Sequence, residues 1–178
     1  NVTSSLENAS LKDGTDNRRI IGGVRAGESD FPWIVFISKI GGSNTICTGS
    51  LVGKRWVVTA AHCILNDAST GYRSPQPLGN TQVIIGCTSL TSSKCVTYNV
   101  RNFIAHPCYS PPTTQDHDDI AMMELEKDVH LDPSQFALVD GIDGAVSFGE
   151  GSLVTLAGFG MTNPTREVAS QYLMRVDV

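Results

Sequence analysis

The sequence contains no long apolar run and no concentrated stretch of basic residues. Its apolar segments are short and interrupted, well below the roughly 20 residues that a membrane-spanning helix requires, so no transmembrane segment is predicted. Lys and Arg never occur more than two in a row, and the formal net charge is −5. Nucleic acid and anionic membrane surfaces are therefore excluded as expected partners. The hydrophobic fraction of 40% and the charged fraction of 17% are typical of a globular protein.

An apolar signal sequence is also missing from the N-terminus, because residues 1–5 are largely polar. We interpret the chain as one whose signal has been removed, and we predict a secreted, extracellular protein. Asn1-Val2-Thr3 and Asn8-Ala9-Ser10 are N-glycosylation sequons, so Asn1 and Asn8 are candidate glycosylation sites.

The cysteines are few and odd in number. They are Cys47, Cys63, Cys87, Cys95 and Cys108. In an exported protein such a set predicts disulfides, with one cysteine left either free or paired outside the chain. The alternative interpretation is five buried thiols in a reducing compartment.

Short strands separated by turns dominate the chain after its first 19 residues. Residues 1–19 are polar and rich in Ser, Asn and Asp, and too poor in apolar side chains to form a core. From residue 20 onward, runs rich in Val, Ile and aromatic residues alternate with Gly, Pro, Asn and Ser, which is typical of an all-β barrel or sandwich. We predict strands at 33–39, 46–53, 56–59, 82–86, 96–104, 120–125, 153–158 and 171–177.

Three non-strand regions are also predicted. Residues 60–63 follow a strand and read as a helical turn, and residues 64–80 and 107–118 read as surface loops. Residues 131–150 contain Asp-Pro and two Asp-Gly dipeptides, which indicate a linker. A new β segment begins after this linker and the sequence stops soon afterwards, so we expect an unfinished architecture.

A histidine follows a β-branched strand in Trp56-Val57-Val58-Thr59-Ala60-Ala61-His62-Cys63. A catalytic imidazole needs an immobile mount, because general-base efficiency depends first on geometry. Cys47 lies one strand earlier and could reach Cys63 across a hairpin. Without other motifs, a lone His beside a Cys would usually be structural.

An acidic loop turns directly into an apolar strand in Asp116-His117-Asp118-Asp119-Ile120-Ala121-Met122-Met123. Asp119 is the last acid before the apolar run and so the carboxylate that we expect to be buried. A buried carboxylate needs a hydrogen-bond donor, and an imidazole N–H is a natural one. The same residues could instead bind a metal or form a solvated loop. Metal binding is disfavoured because no second His/Asp group has matching spacing.

Taken together, these segments resemble motifs of the trypsin-like serine protease family, in the family's order. The motifs are Arg19-Ile20-Ile21-Gly22-Gly23, Asp30-Phe31-Pro32-Trp33, Cys47-Thr48-Gly49-Ser50-Leu51, Thr59-Ala60-Ala61-His62-Cys63, Asp119-Ile120-Ala121-Met122 and Ala157-Gly158-Phe159-Gly160. Two positions depart from the pattern: Thr48 stands where Gly is usual, and Phe159 replaces Trp. The resemblance covers residues 19–178.

The resemblance implies a trypsin-like double antiparallel β-barrel. Residues 1–19 would be a propeptide, 20–130 the first barrel, 131–150 the linker, and 151–178 an incomplete start of the second barrel. Arg19 and Ile20 would flank the activation cleavage of a zymogen, cut by a trypsin-like protease. Protein or peptide substrates are expected, and no cofactor.

By the same resemblance, His62 is the general base and Asp119 orients it. The family's nucleophilic Ser lies in a Gly-Asp-Ser-Gly-Gly motif, which does not occur in this sequence. The chain is therefore expected to be an inactive part of a serine endopeptidase. Two alternatives stay open: a catalytically dead homologue acting as a binding or inhibitory module, and a fragment without function of its own.

The segment 87–95 departs from calcium-binding members of the family. It contains no acidic residue, whereas Ca²⁺ requires oxygen ligands, usually carboxylates. We predict a Cys87–Cys95 disulfide in place of calcium, and a Cys47–Cys63 disulfide beside the histidine. Cys108 has no assigned partner within the chain, which leaves a missing C-terminal segment or another chain as the candidates.

Overall fold

The computed structural model describes residues 23–39, 45–66, 74–75, 81–109, 118–139, 149–160 and 170–178. Within these residues almost all regular structure is β. In chain order the strands are β1 (Val24–Arg25), β2 (Ile34–Lys39), β3 (Thr45–Gly53), β4 (Trp56–Thr59), β5 (Leu65–Asn66), β6 (Ser74–Pro75), β7 (Thr81–Ile85), β8 (Val96–Ala105), β9 (Ala121–Leu125), β10 (Thr155–Gly158) and β11 (Met174–Asp177). The described 3₁₀ helices are Ala61–Cys63 and Pro133–Gln135. Among these residues no helix is long and apolar enough to cross a membrane.

Six strands close into an antiparallel barrel in the order β2, β3, β4, β9, β8, β7. Closure leaves no unpaired edge, because β7 pairs with both β8 and β2. Side chains alternate between the interior and the outside, as in β9, where Ala121, Met123 and Leu125 are buried and their neighbours are not. The barrel is therefore a packed core.

Apolar side chains from every strand of the barrel fill its interior. The buried set includes Val35, Ile37, Leu51, Val57, Ile64, Val83, Ile85, Val100, Met123 and Leu125. Strand register shifts at three places, between Ile37 and Ser38, Leu51 and Gly53, and Val100 and Asn102. Such irregularities bend a strand and increase its twist, which a small barrel needs in order to close.

A second sheet joins strands from the two ends of the described chain, in the order β1, β11, β10. Thr155 Oγ1 donates to Asp177 Oδ1 at 2.6 Å across β10 and β11. This hydrogen bond, together with the Arg175 guanidinium, holds the pKa of Asp177 below its usual value. The sheet has three strands and leaves large apolar side chains such as Val24, Leu153 and Leu156 exposed.

A small buried cluster connects the barrel to the second sheet. Phe36 of β2 packs edge-on against Phe159, with ring centroids 5.3 Å apart, and Leu173 completes the cluster. Thr48 Oγ1 of β3 accepts a hydrogen bond from the Phe159 backbone N–H at 3.1 Å. A Cβ at Gly158 would lie 3.1 Å from the same hydroxyl. Thr48 therefore packs against Gly158 and hydrogen-bonds Phe159 where the barrel meets the second sheet. A Gly at position 48 would lack the hydroxyl that makes this hydrogen bond.

Residues 87–95 form a loop whose two ends are joined by a disulfide. Cys87 and Cys95 are joined by a disulfide, with Cα atoms 5.0 Å apart. Backbone hydrogen bonds join the loop to the approach to β11, since Leu173 N donates to Thr88 O at 2.8 Å. Lys94 Nζ donates to Glu28 Oε2 at 2.6 Å, and this contact lowers the pKa of Glu28. The disulfide closes the loop, and the backbone hydrogen bond of Thr88 joins the closed loop to the residue before β11.

All eight predicted strands overlap observed ones, and the predicted all-β class with one closed barrel and a partial second sheet is confirmed. The predicted loop 64–80 differs, because it contains the paired strands β5 and β6. β1 was not predicted at all. Its two residues pair with β11 about 150 residues later, and a contact of that range leaves no local pattern.

Substituting Gly49 tests a close approach between β3 and β4. A Cβ there would lie 2.7 Å from Val57 Cγ1 and 2.8 Å from the backbone oxygen of Val58. Since a paired strand carbonyl cannot move away, we expect Gly49→Ala to lower the free energy of unfolding by about 1–3 kcal/mol in urea titrations. Gly53→Ala is the matched control, with its nearest contact at 3.8 Å, and should change stability by no more than about 0.5 kcal/mol. Equal effects of the two variants would contradict this packing.

Substituting Thr48 tests the junction between barrel and sheet. Thr48→Val keeps the shape but removes the acceptor for the Phe159 N–H, whose residue is buried. An unsatisfied buried N–H costs about 1–3 kcal/mol, so we expect a loss of that size in urea titrations. Thr48→Ser keeps the hydroxyl and should lose less. A Val variant as stable as the Ser variant would rule out the hydrogen bond as the source of stability.

Candidate active site

His62 stands on the 3₁₀ helix Ala61–Cys63, directly after β4. Its two neighbours, Ala61 and Cys63, are buried, whereas the His62 side chain is 44% exposed. Burial on both sides fixes the backbone while leaving the imidazole at the surface. The predicted helical turn at 60–63 is therefore present, and it presents the histidine outward.

Two further contacts tie this turn to β3. Cys63 forms a disulfide with Cys47, the predicted pair, with Cα atoms 6.0 Å apart. Thr59 Oγ1, at the end of β4, donates to Thr48 O at 3.1 Å. Such supporting contacts reduce the freedom of the residue that they flank.

Asp119 approaches His62 from the start of β9. β4 ends where β9 begins, because the antiparallel pair places Thr59 opposite Ala121. His62 follows Thr59 by three residues, and Asp119 precedes Ala121 by two. The strand pairing therefore brings together two residues that are 57 positions apart.

The carboxylate of Asp119 accepts two hydrogen bonds from His62. Oδ1 accepts from the backbone N–H at 2.9 Å, and Oδ2 lies 2.7 Å from the ring nitrogen Nδ1. An ionised carboxylate can only accept, so Nδ1 carries the proton of this bond. In the neutral ring the other nitrogen, Nε2, is then an unprotonated base. Asp119 is 23% exposed, which leaves its charge only partly hydrated.

Nε2 of His62 lies beside the disulfide, 3.5 Å from Cys63 Sγ and 3.9 Å from Cys47 Sγ. These sulfurs are weak acceptors and cannot bind a metal as thiolates while they are bonded to each other. In the part of the chain that is described, no Ser or Thr hydroxyl is hydrogen-bonded to Nε2. The base nitrogen of this pair has therefore no hydroxyl partner within those residues.

The other acids of the loop differ in position. Asp118 adopts the left-handed region, with φ of 59°, and its Oδ1 lies 3.8 Å from His106 Nδ1 instead of facing His62. Asp116 and His117 lie outside the described residues, as do Arg19, Ile20, Asn1 and Asn8. Among the described residues, Asp119 is the acid that meets His62.

A trypsin family model matches residues 20–178. The chain belongs to the trypsin family. Complement C1r-B subcomponent of Mus musculus is 33% identical over 150 residues, covering 83% of this chain and 20% of its own length. Trypsin of Phaedon cochleariae is 39% identical over 119 residues, covering 66% of this chain and 41% of its own length.

A solved structure gives the same result. Neuropsin, a serine protease expressed in the limbic system of mouse brain, aligns with a TM-score of 0.67 at 25% identity, over 89% of this chain and 63% of its own. The chain thus spans from about a fifth to about two fifths of the length of these two sequence relatives. The resemblance to trypsin-like serine proteases that was stated from sequence is confirmed at the level of the family.

Sequence reasoning missed two features near this site. It marked Thr48 as a departure but did not predict its hydrogen bonds to Phe159 and Thr59. It also treated Asp118 only as part of an acidic run, without His106. These contacts depend on which strands are neighbours and on their register, which the local sequence does not give.

Proposed function

We propose that His62 and Asp119 are the general base and its orienting carboxylate in a serine endopeptidase. The observation that supports this most is the pair of hydrogen bonds from His62 to one carboxylate, at 2.7 and 2.9 Å. In this role His62 Nε2 takes the proton of a serine hydroxyl as it attacks a peptide carbonyl, and later returns it to the leaving amine. Asp119 holds the ring in the required tautomer and stabilises its charged form. Substrates are proteins or peptides.

We also propose that the enzyme is made as a zymogen cut between Arg19 and Ile20. A basic residue before the cleaved bond suits an activating trypsin-like protease. The segment that follows supports the proposal, because β1 pairs with β11 and Ala26 N donates to Leu173 O at 2.9 Å. Residues a few positions after the cleavage site are thereby anchored in the second sheet. The proposed division is residues 1–19 as propeptide, 20–130 as first barrel, 131–150 as linker and 151–178 as part of a second barrel.

Secretion and N-glycosylation at Asn1 and Asn8 complete the proposal. The two disulfides support it, because such bonds persist in oxidising compartments and are rare in the cytosol. Relatives of this chain include a complement subcomponent and coagulation factor IX of Cavia porcellus. Cys108 forms no disulfide among the described residues.

The 178-residue chain by itself is proposed to be inactive. It contains no Gly-Asp-Ser-Gly-Gly motif, the setting of the family's nucleophile. Gly149-Glu150-Gly151-Ser152 resembles that motif only weakly. It stands at the wrong place in the family's order of motifs, and no glycines follow its serine. Without a nucleophile and oxyanion donors, a general base has no acyl group to transfer.

Hydrolysis of a peptide ester tests this function. The full product of the gene, after cleavage at Arg19, should hydrolyse the ester, and Asp119→Asn should lower kcat by about 10⁴-fold, the scale of that change in a Ser-His-Asp triad. Glu126→Gln is a matched carboxylate-to-amide control at an exposed site and should keep full activity. The 178-residue chain should give only the background rate.

Three results would each contradict part of the proposal. Full activity in Asp119→Asn would remove Asp119 from the mechanism. Hydrolysis by the 178-residue chain that is lost in His62→Ala would mean that a serine within these residues is the nucleophile. If the full product is inactive and another residue replaces its serine, the dead homologue acting as a binding module is the correct alternative.

A further inference from the structure

A second group of reactive side chains lies at the same end of the barrel as His62 and Asp119. β8 ends at Ala105, and His106 and Cys108 follow it directly. Asp118 lies on the other side, three residues before β9. Because Ala105 pairs with Ala121, and His106 N donates to Ile120 O at 2.9 Å, the two strand ends are held together.

The spacing of these three side chains suits a metal ion. Each of His106, Cys108 and Asp118 offers one ligand atom, and all three atoms lie within 4.8 Å of one another. His106 Nδ1 and Asp118 Oδ1 are 3.8 Å apart. Tetrahedral zinc, with bonds of about 2.0–2.3 Å, places its ligand atoms roughly 3.3–3.8 Å apart. For a nitrogen and an oxygen ligand the expected separation is roughly 3.3–3.5 Å, so His106 Nδ1 and Asp118 Oδ1 need to approach by about 0.3–0.5 Å. The pairs that include Cys108 Sγ need to close by up to about 1.3 Å, and the side chains involved are exposed enough to move.

The chemical state of the ligands is also suitable. Nδ1 of His106 accepts a hydrogen bond from the Cys108 backbone N–H at 3.3 Å, and zinc would replace this donor on the same lone pair. Cys108 is exposed and forms no disulfide among the described residues. In both respects it differs from Cys47 and Cys63 beside His62, whose sulfurs are bonded to each other.

The combination of donors selects the ion. Calcium and magnesium prefer oxygen ligands only, whereas a thiolate, an imidazole and a carboxylate together suit zinc. Three protein ligands at the surface leave the fourth position for water. The metal site considered from the sequence consisted of residues 116–119. The present set takes only Asp118 from that run, and its other two ligands follow the end of β8.

We propose that His106, Cys108 and Asp118 form a Zn²⁺ site that cross-links the ends of β8 and β9. Asp118 immediately precedes Asp119, and Ile120 N donates to Asp118 O at 2.7 Å, so the metal would fix the turn that carries the proposed orienting carboxylate. The site depends only on residues of this chain and is independent of the proposed hydrolytic activity.

Zinc titration of the metal-stripped 178-residue chain tests the site. Cys108 is the one free thiol, since the other four cysteines form disulfides, so labelling by a thiol reagent reports on it alone. We expect one Zn²⁺ per chain, labelling slowed by at least about tenfold at saturation, and a Tm that rises with zinc concentration. Cobalt should give thiolate-to-metal charge-transfer absorption that is absent in Cys108→Ser.

Variants separate the site from incidental binding. His106→Gln and Asp118→Asn should each weaken zinc affinity by at least about tenfold, and Tm without metal should stay within a few degrees of wild type because both side chains are substantially exposed. His130→Gln, at another exposed histidine, is the control and should bind zinc as wild type does.

Three results would overturn the proposal. Equal zinc protection of Cys108 in wild type, His106→Gln and Asp118→Asn would mean that the thiol binds metal alone. Loss of binding in His130→Gln would place the ion elsewhere. Detection of Cys108 in a disulfide by mass spectrometry of the unreduced protein would show that its sulfur is used for a covalent bond to another segment or chain.

Discussion

The carboxylate of Asp119 is held by two donors of the same residue, the backbone N–H and Nδ1 of His62. A single donor would leave the carboxylate free to rotate, but two donors fix its plane and the imidazole ring together. This arrangement requires that the end of β4 and the start of β9 lie side by side, which the Thr59–Ala121 pair provides. The closed barrel is therefore the support of the pair, since barrel closure determines which strands are neighbours.

The supports of His62 extend through β3 into the second sheet. The Cys47–Cys63 disulfide and the hydrogen bond from Thr59 to Thr48 attach the turn that carries His62 to β3. Thr48 accepts the Thr59 hydrogen bond on its backbone oxygen, and its side-chain Oγ1 accepts from the backbone N–H of Phe159, directly after β10. A single residue thus connects the strand that backs the histidine with the sheet that carries Phe159.

Local motifs predicted the residues of the pair, and strand register was needed for the rest. His62 could be selected because a β-branched strand and a cysteine flank it, and Asp119 because it is the last acid before an apolar run. Asp118 and Asp119 are adjacent in the sequence, yet the positive φ of Asp118 turns it towards His106. No composition or spacing rule gives that dihedral angle. The pairing of β1 with β11 was missed because these strands are about 150 residues apart. The proximity of His106, Cys108 and Asp118 was missed because it depends on the register of β8 against β9.

The tautomer of His62 is the most direct test of the account, and nitrogen-15 NMR of the imidazole measures it. In the neutral ring we predict a proton on Nδ1 and none on Nε2, because the ionised Asp119 can only accept. In Asp119→Asn the amide can donate to Nδ1, so the proton should move to Nε2. A wild-type ring protonated on Nε2, or a tautomer unchanged in Asp119→Asn, would contradict the claim that Asp119 prepares His62 as a base.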